Sequence, residues 1–209
     1  AGNIDILYSM DNGASFPVTL NPTPLAIGDG SYVWAVDLSQ TPPSAAAKLR
    51  IVIRDGADLG RTADSPVFTV KGINISSPAA GVTWAHGQTH DVEWQAAAAG
   101  LTMNLYYSDD DGATYASRPI NPSPLSIASG VFPWTLASTL LPSDGEARLK
   151  AVSDTGVAGV SQAFTVRGLR VVRPSSLNIW AAGDIERIRW KAMPAGGTYT
   201  LRVSSFDVG

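Results

Sequence analysis

The chain repeats itself, and no other feature constrains its fold as much. Ser9-Met10-Asp11-Asn12-Gly13-Ala14-Ser15-Phe16 returns 99 residues later as Ser108-Asp109-Asp110-Asp111-Gly112-Ala113-Thr114-Tyr115. Asn21-Pro22-Thr23-Pro24-Leu25 returns 100 residues later as Asn121-Pro122-Ser123-Pro124-Leu125, and Trp34 returns as Trp134. Phe68-Thr69-Val70-Lys71-Gly72 returns 96 residues later as Phe164-Thr165-Val166-Arg167-Gly168. Pro78, Trp84, Gly87 and Trp94 map with the same spacing onto Pro174, Trp180, Gly183 and Trp190. A period of about 97 residues suits one sandwich domain; it is too long for a helical solenoid unit and about twice a propeller blade. The drift in spacing falls between Trp34 and Phe68, around Thr41–Ser44 and the turn Asp55–Gly60, where loops absorb insertions at little cost.

The repeats divide the 209 residues into three parts. Residues 1–72 read as the later part of one repeat, 73–168 as a complete repeat, and 169–209 as the start of a third. A window cut from a longer array has this phase. So does strand donation, in which the tail of one chain completes the headless repeat of the next. Ile4–Ser9 and Thr198–Ser204 read as the same strand of the repeat, and this overlap favours the plain window. The start, Ala1–Asp5, lacks the basic and apolar regions of a signal peptide.

The complete repeat reads as strands. Ile73–Ile75, Val82–Trp84, His90–Trp94 and Thr102–Tyr107 alternate or are β-rich, Thr114-Tyr115 opens another strand, and Val131–Leu136, Ala147–Val152 and Val160–Val166 follow. Pro133 places its strand at an edge, because proline cannot donate to a ladder. Gln95–Ala99 is the one stretch that suggests a helical turn, stopped by Gly100. Strands this short, with turn signals every 8–12 residues, predict an all-β chain: tandem immunoglobulin-like β-sandwich repeats of about seven strands each. Trp34, Trp84, Trp94, Trp134, Trp180 and Trp190 are the expected core, each burying on the order of 150–250 Å². Gly72 and Gly168 sit at the repeat joints with the next strand directly after them, which predicts short, stiff connections.

The motif Ser-x-Asp-x-Gly-x-Ser/Thr-aromatic occurs in both copies. Its Asp side chain is suited to accept from turn amides, and its Gly to adopt positive φ. Ser9, Asp11, Gly13 and Ser108, Asp110, Gly112 are therefore expected to be structural turn residues. Asp109-Asp110-Asp111 also carries a calcium reading. The first copy reads Met10-Asp11-Asn12 instead, and no Glu follows at loop-closing spacing, so an exposed acidic turn is favoured. His86 and His90 have the spacing of a helical zinc pair, but Gly87 lies between them and their surroundings read as strand and turn. A solvated loop pair is the expectation, and no metal or cofactor is assigned.

Little else suggests chemistry. There are no cysteines and only two histidines, so thiolate sites are absent and a triad has little scope. No nucleophile elbow, dinucleotide fingerprint or P-loop occurs, and Glu93 and Glu146 lack the repeated partner that a glycosidase pair needs. Asn74-Ile75-Ser76 fits a glycosylation acceptor, a short pattern of low information. The formal net charge of −3 offers no attraction to nucleic acid, and no apolar run approaches the roughly 18–20 residues needed to cross a bilayer.

The string Pro78, Trp84, Gly87, Val92, Trp94, then Leu105, Ser108, Asp110, Gly112, then Trp134 and Phe164, resembles a family of secreted immunoglobulin-like domains. These occur in tandem in bacterial and archaeal surface proteins and are related to a fungal cell-wall glucan-assembly domain. The turn motif resembles the Asp-box of sialidases and other β-proteins, with Phe16 and Tyr115 where that motif ends in Trp. The first resemblance covers the whole chain as about two repeats' worth. It implies spacers, stalks or adhesive units and supplies no catalytic residues. The expectation is thus a non-catalytic structural or adhesive region of an extracellular or cell-surface protein, partnered by itself or by neighbouring repeats. A polysaccharide-binding module, with Tyr106, Tyr115 and Phe132 stacking on sugar, is one alternative. An accessory domain of a larger secreted hydrolase is another.

Overall fold

The computed structural model describes residues 2–193 and Thr200. The period-two patterning yields sixteen strands, two single turns of 3₁₀ helix at Ile27–Asp29 and Ile127–Ser129, and no α-helix among the described residues. The fold is all-β and immunoglobulin-like, as the alternation and turn spacing predict.

In the first part, β1 (Asn3–Ser9), β2 (Val18–Thr19), β3 (Leu25–Ala26), β4 (Ser44–Ile53), β5 (Thr62–Asp64) and β6 (Phe68–Val70) form a single sheet. Its path runs β2-β1-β4-β5, with β3 also on β1 and β6 on β4. No second sheet faces it among the described residues.

The middle part is a complete sandwich. Its strands are β7 (Gly72–Ser77), β8 (Thr83–Ala85), β9 (Thr89–Ala97), β10 (Thr102–Ser108), β11 (Leu125–Ser126), β12 (Val131–Thr135), β13 (Ser143–Ser153), β14 (Ala158–Val160) and the first half of β15 (Phe164–Arg173). One sheet runs β12-β9-β7; the other runs β11-β10-β13-β15, with β14 on β13 and β8 parallel to β15. The first strand of the repeat thus divides between the sheets, β7 in one and β8 in the other. Pro133 lies on β12, an edge strand, opposite Asp91.

The two sheets close over one core. Ile73, Ile75, Val92, Trp94 and Trp134 come from the first, and Met103, Leu105, Tyr107, Ala147, Leu149, Ala151, Phe164 and Val166 from the second. Trp84 joins them from β8. Burial of each large apolar side chain contributes roughly 1.5–3 kcal/mol. The aromatic centre is specific in geometry: Trp84 meets Trp134 edge-on at 6.1 Å and Phe164 at 5.3 Å, and Tyr107 meets Trp134 at 6.0 Å. Two polar tips in this core are satisfied locally, with Trp94 Nε1 donating to the Ile127 carbonyl and the Tyr107 hydroxyl to that of Leu141.

Beyond Gly168, β15 continues unbroken into the third part and pairs with β16 (Arg189–Met193), Leu169 opposite Ala192 and Val171 opposite Trp190. The strand expected at Thr198–Ser204 lies, but for Thr200, outside the described residues.

Several expectations need correction. Trp84, Trp94 and Trp134 are buried, and Trp34 is half-buried but packs on the smaller core of Tyr8, Ala47 and Val70, 5.7 Å from the Tyr8 ring; Trp180 is half-buried and Trp190 is 52% exposed. Sequence spacing locates a core position, whereas full burial needs a second sheet, and among the described residues none covers these three. Thr114-Tyr115 starts no strand, because the preceding turn holds Thr114 by its backbone N–H; the next strand is β11. Gln95–Ala97 belongs to β9 rather than to a helical turn, and Val160–Val166 is divided between β14 and β15.

Candidate functional site

The two repeated turns are nearly superimposable in their bonding. Ser9 Oγ donates to Asp11 Oδ1 at 2.7 Å and accepts from Gly13 N at 2.8 Å. Ser15 donates to the same carboxylate twice, from its N at 2.9 Å to Oδ1 and from its Oγ at 2.6 Å to Oδ2. In the second copy, Ser108 Oγ donates to Asp110 Oδ1 at 2.6 Å and accepts from Gly112 N at 2.9 Å. Thr114 N and Oγ1 donate to Asp110 at 2.9 and 2.6 Å. Gly13 and Gly112 adopt φ of 86° and 84°, which side chains rarely tolerate. Hydrogen bonds to the ionised form hold both carboxyls down at about 2: for Asp11 first the Ser15 hydroxyl, for Asp110 first the Ser108 hydroxyl. Carboxylates engaged in this way staple a hairpin and are ill-placed to move protons near neutral pH.

The acidic triplet does not converge on a common point. Asp109 Oδ2 accepts from Lys191 Nζ at 2.7 Å, Asp110 is engaged by its turn, and Asp111 Oδ1 accepts from Arg148 Nε at 2.6 Å. The Asp109–Lys191 pair ties β16 to the middle repeat. Among the described residues no group of three or more His, Asp or Glu side chains is placed to hold a metal ion.

The histidines are not a solvated pair. The His90 ring stacks on Trp84, with centroids 4.6 Å apart and planes 3° from parallel. His86 packs against the backbone of Gly168 at the joint, where a Cβ would collide with its ring, and its Nε2 is buried without a partner. Burial pushes the His86 pKa down, which disfavours a charged imidazole at the joint. The first joint has the same form, with the Leu38 side chain in the space that a Cβ on Gly72 would fill.

The aromatics proposed for sugar stacking form no open platform. Lys150 Nζ sits 4.1 Å from the Tyr115 ring centroid, Phe132 packs against the core, and Tyr106 is half-buried opposite Lys150 on β13. Phe16 is likewise covered by the Arg50 guanidinium at 4.0 Å.

Two buried asparagines, Asn21 and Asn121, carry no sequence expectation. Asn121 Oδ1 accepts from Leu105 N at 2.8 Å, and its Nδ2 donates to Asn104 Oδ1 at 2.9 Å and to the Ser123 carbonyl at 2.8 Å. Asn21 makes the equivalent bonds to Ile6 N, Asp5 Oδ1 and the Thr23 carbonyl. The twofold recurrence of Asn-Pro-x-Pro-Leu was the available signal.

One concavity is strongly apolar. A groove of about 510 Å³ crosses the uncovered face of the first sheet, lined by Ile4, Ile6, Leu25, Ile27, Ile51 and Ile53 among others. Its only charged lining residues are Asp29 and Arg61, with no histidine or carboxylate pair to do acid–base work.

No protein-family model matches the chain, and no curated protein matches it. Among solved structures, an I-band fragment from titin aligns at 10% identity with a TM-score of 0.25, over 79% of this chain and 55% of that one. This chain therefore spans little more than half of that fragment, and so low a superposition adds nothing to what the strands themselves show.

Proposed function

We propose that this chain is a non-catalytic structural segment of an extracellular or cell-surface array, acting as a stiff stalk or fibre built from immunoglobulin-like repeats. The observation that carries this reading is the joint. β15 passes from one repeat into the next without a linker, and the joint glycines pack directly against His86 and Leu38. Connections of this kind suppress bending between neighbours and suit a spacer that transmits position or force. The polar clusters support the same reading, because each carboxylate of the repeated turns is engaged by its own hairpin or by a neighbouring base. The sequence resemblance to tandem secreted surface domains is what supports the proposed location.

Small-angle scattering of the chain tests the mechanical part. A rod with the cross-section of one sandwich is expected, and a profile of independently tumbling beads would overturn it. Antibody labelling of intact source cells tests the location: surface labelling is expected, and labelling only after permeabilisation would refute it.

A further inference from the structure

We propose that Asn12 is a self-modification site: it deamidates spontaneously when the Ser9–Phe16 turn opens, and the closed turn guards it. Nothing in this chemistry depends on the chain being a surface stalk.

Seven asparagines occur in the chain. Asn3, Asn74, Asn104 and Asn178 precede Ile or Leu, Asn21 and Asn121 precede Pro, and Asn12 alone precedes Gly. Deamidation begins with attack by the nitrogen of the following residue. Glycine has no Cβ to crowd that attack, a larger side chain obstructs it, and proline has no N–H. Asn12 is also exposed to water and base.

The steps balance without an oxidant or reductant. Gly13 N bonds to Asn12 Cγ, the Cγ–Nδ2 bond breaks, and the departing nitrogen takes the Gly13 amide proton and leaves as ammonia. Water then opens the cyclic imide. Cleavage of the new bond at Cγ gives aspartate. Cleavage at the main-chain carbonyl gives isoaspartate, which has one more methylene in the backbone.

The closed turn blocks the first step. Gly13 N donates to Ser9 Oγ at 2.8 Å, and Ser9 Oγ donates in turn to Asp11 Oδ1 at 2.7 Å. A hydroxyl that donates to a carboxylate is a stronger acceptor, so this relay holds the proton that the attack must release. Asn12 N donates to the Ala46 carbonyl at 2.9 Å, so the peptide planes on both sides of Asn12 are held.

The middle repeat displays the aspartate product. Asp111 stands at the equivalent position, with φ of 57° against 58° for Asn12, and its Oδ1 accepts from Arg148 Nε at 2.6 Å. Lys48 lies opposite Ser9 as Arg148 lies opposite Ser108, and its Cδ flanks Gly13 as that of Arg148 flanks Gly112. Lys48 is in no ion pair among the described residues. Conversion of Asn12 to aspartate therefore gives the first turn the ion pair of the second, and the turn closes again. The longer backbone of isoaspartate does not fit these bonds and leaves the turn open.

Peptide mapping by mass spectrometry, after incubation at mildly alkaline pH, tests the site. Folded chain, urea-unfolded chain and folded Ser9→Ala chain are compared, with the near-ultraviolet tryptophan signal of the middle repeat as the folding control. Asn12 should be the first asparagine modified in all three. Ser9→Ala should speed its loss about tenfold, as expected for losing one hydrogen bond, and unfolding should speed it further. Ser9→Thr, which keeps the hydroxyl, should stay slow. Equal rates in folded and unfolded chain, a Ser9→Ala chain as slow as the parent, a Ser9→Thr chain as fast as Ser9→Ala, or earlier modification of another asparagine would each overturn the assignment. Asn12→Asp should fold, and its carboxyl should titrate below the ordinary aspartate value, a depression that Lys48→Ala removes. A carboxyl indifferent to Lys48 would overturn the assigned product pairing.

Discussion

Asn121 offers the sharpest energetic test of how the repeat is held together. Its side chain is 2% exposed and satisfies Leu105 N, Asn104 Oδ1 and the Ser123 carbonyl together. Asn121→Ala strands the Leu105 N–H inside the sheet, at a cost of about 1–3 kcal/mol, and forfeits the remaining bonds and some packing. The sum is about 2–4 kcal/mol, or on the order of 10–20 °C in Tm for a domain of this size. Urea titration followed by tryptophan fluorescence reads it directly, since Trp84, Trp94 and Trp134 lie in the same core. The midpoint should fall with little change in slope, and the Leu105 amide should exchange faster. Asn121→Asp adds a sign check. Its carboxylate would keep the Leu105 bond but face two acceptors, which raises the folded-state pKa above the ordinary value of about 3.9. Its stability should therefore be near normal below about pH 4 and decline as pH rises. A loss smaller than about 0.5 kcal/mol for Asn121→Ala would refute the bracket role.

Other outcomes follow from the turns and joints. Carbon-detected NMR should place the Asp11 and Asp110 carboxyl midpoints at about 2. Because folding depresses both, the turns' contribution is intact above the unfolded value of about 3.9 and is lost as pH falls through about 2, so the chain should weaken in that acidic window. Gly159→Ala would drive a Cβ into the Ile73 backbone, which cannot rotate away, and should cost about 3 kcal/mol in a urea melt. Gly168→Ala should displace the His86 ring and loosen the joint, read as a broader scattering profile, with His86→Ala partly restoring it. Burial lowers the His86 pKa below its ordinary value of about 6.5, so the joint should be firm above that pH and loosen as pH falls below it, read as faster amide exchange around Gly168.

Local signals were legible in the sequence and distant ones were not. The Asp turns span only a few residues, so spacing alone conveys their geometry. Trp94 and Trp134 were legible because alternation assigns a face, and in the middle repeat that face has a partner. Trp190 shares the spacing of Trp94 but not its burial, because burial belongs to a sheet that the same chain does not place over it. Asn121 was visible as a repeated letter, but asparagine beside proline reads as an ordinary turn residue. Its bond to Leu105 N crosses 16 residues and emerges only in the fold. The burial of His86 is invisible in the sequence because its packing surface is a glycine backbone, which leaves no side-chain signature. The β-propensity of Tyr115 predicts strand, and the turn's hold on Thr114 overrides it.

Amide exchange on the dilute, monomeric chain, resolved by segment, addresses the division into one closed sandwich and two open halves. Slow exchange is predicted for β9, β10 and β13, with much faster exchange for β16 and for residues 31–36. Exchange at β16 and residues 31–36 as slow as at β10 in the dilute monomer would contradict that division.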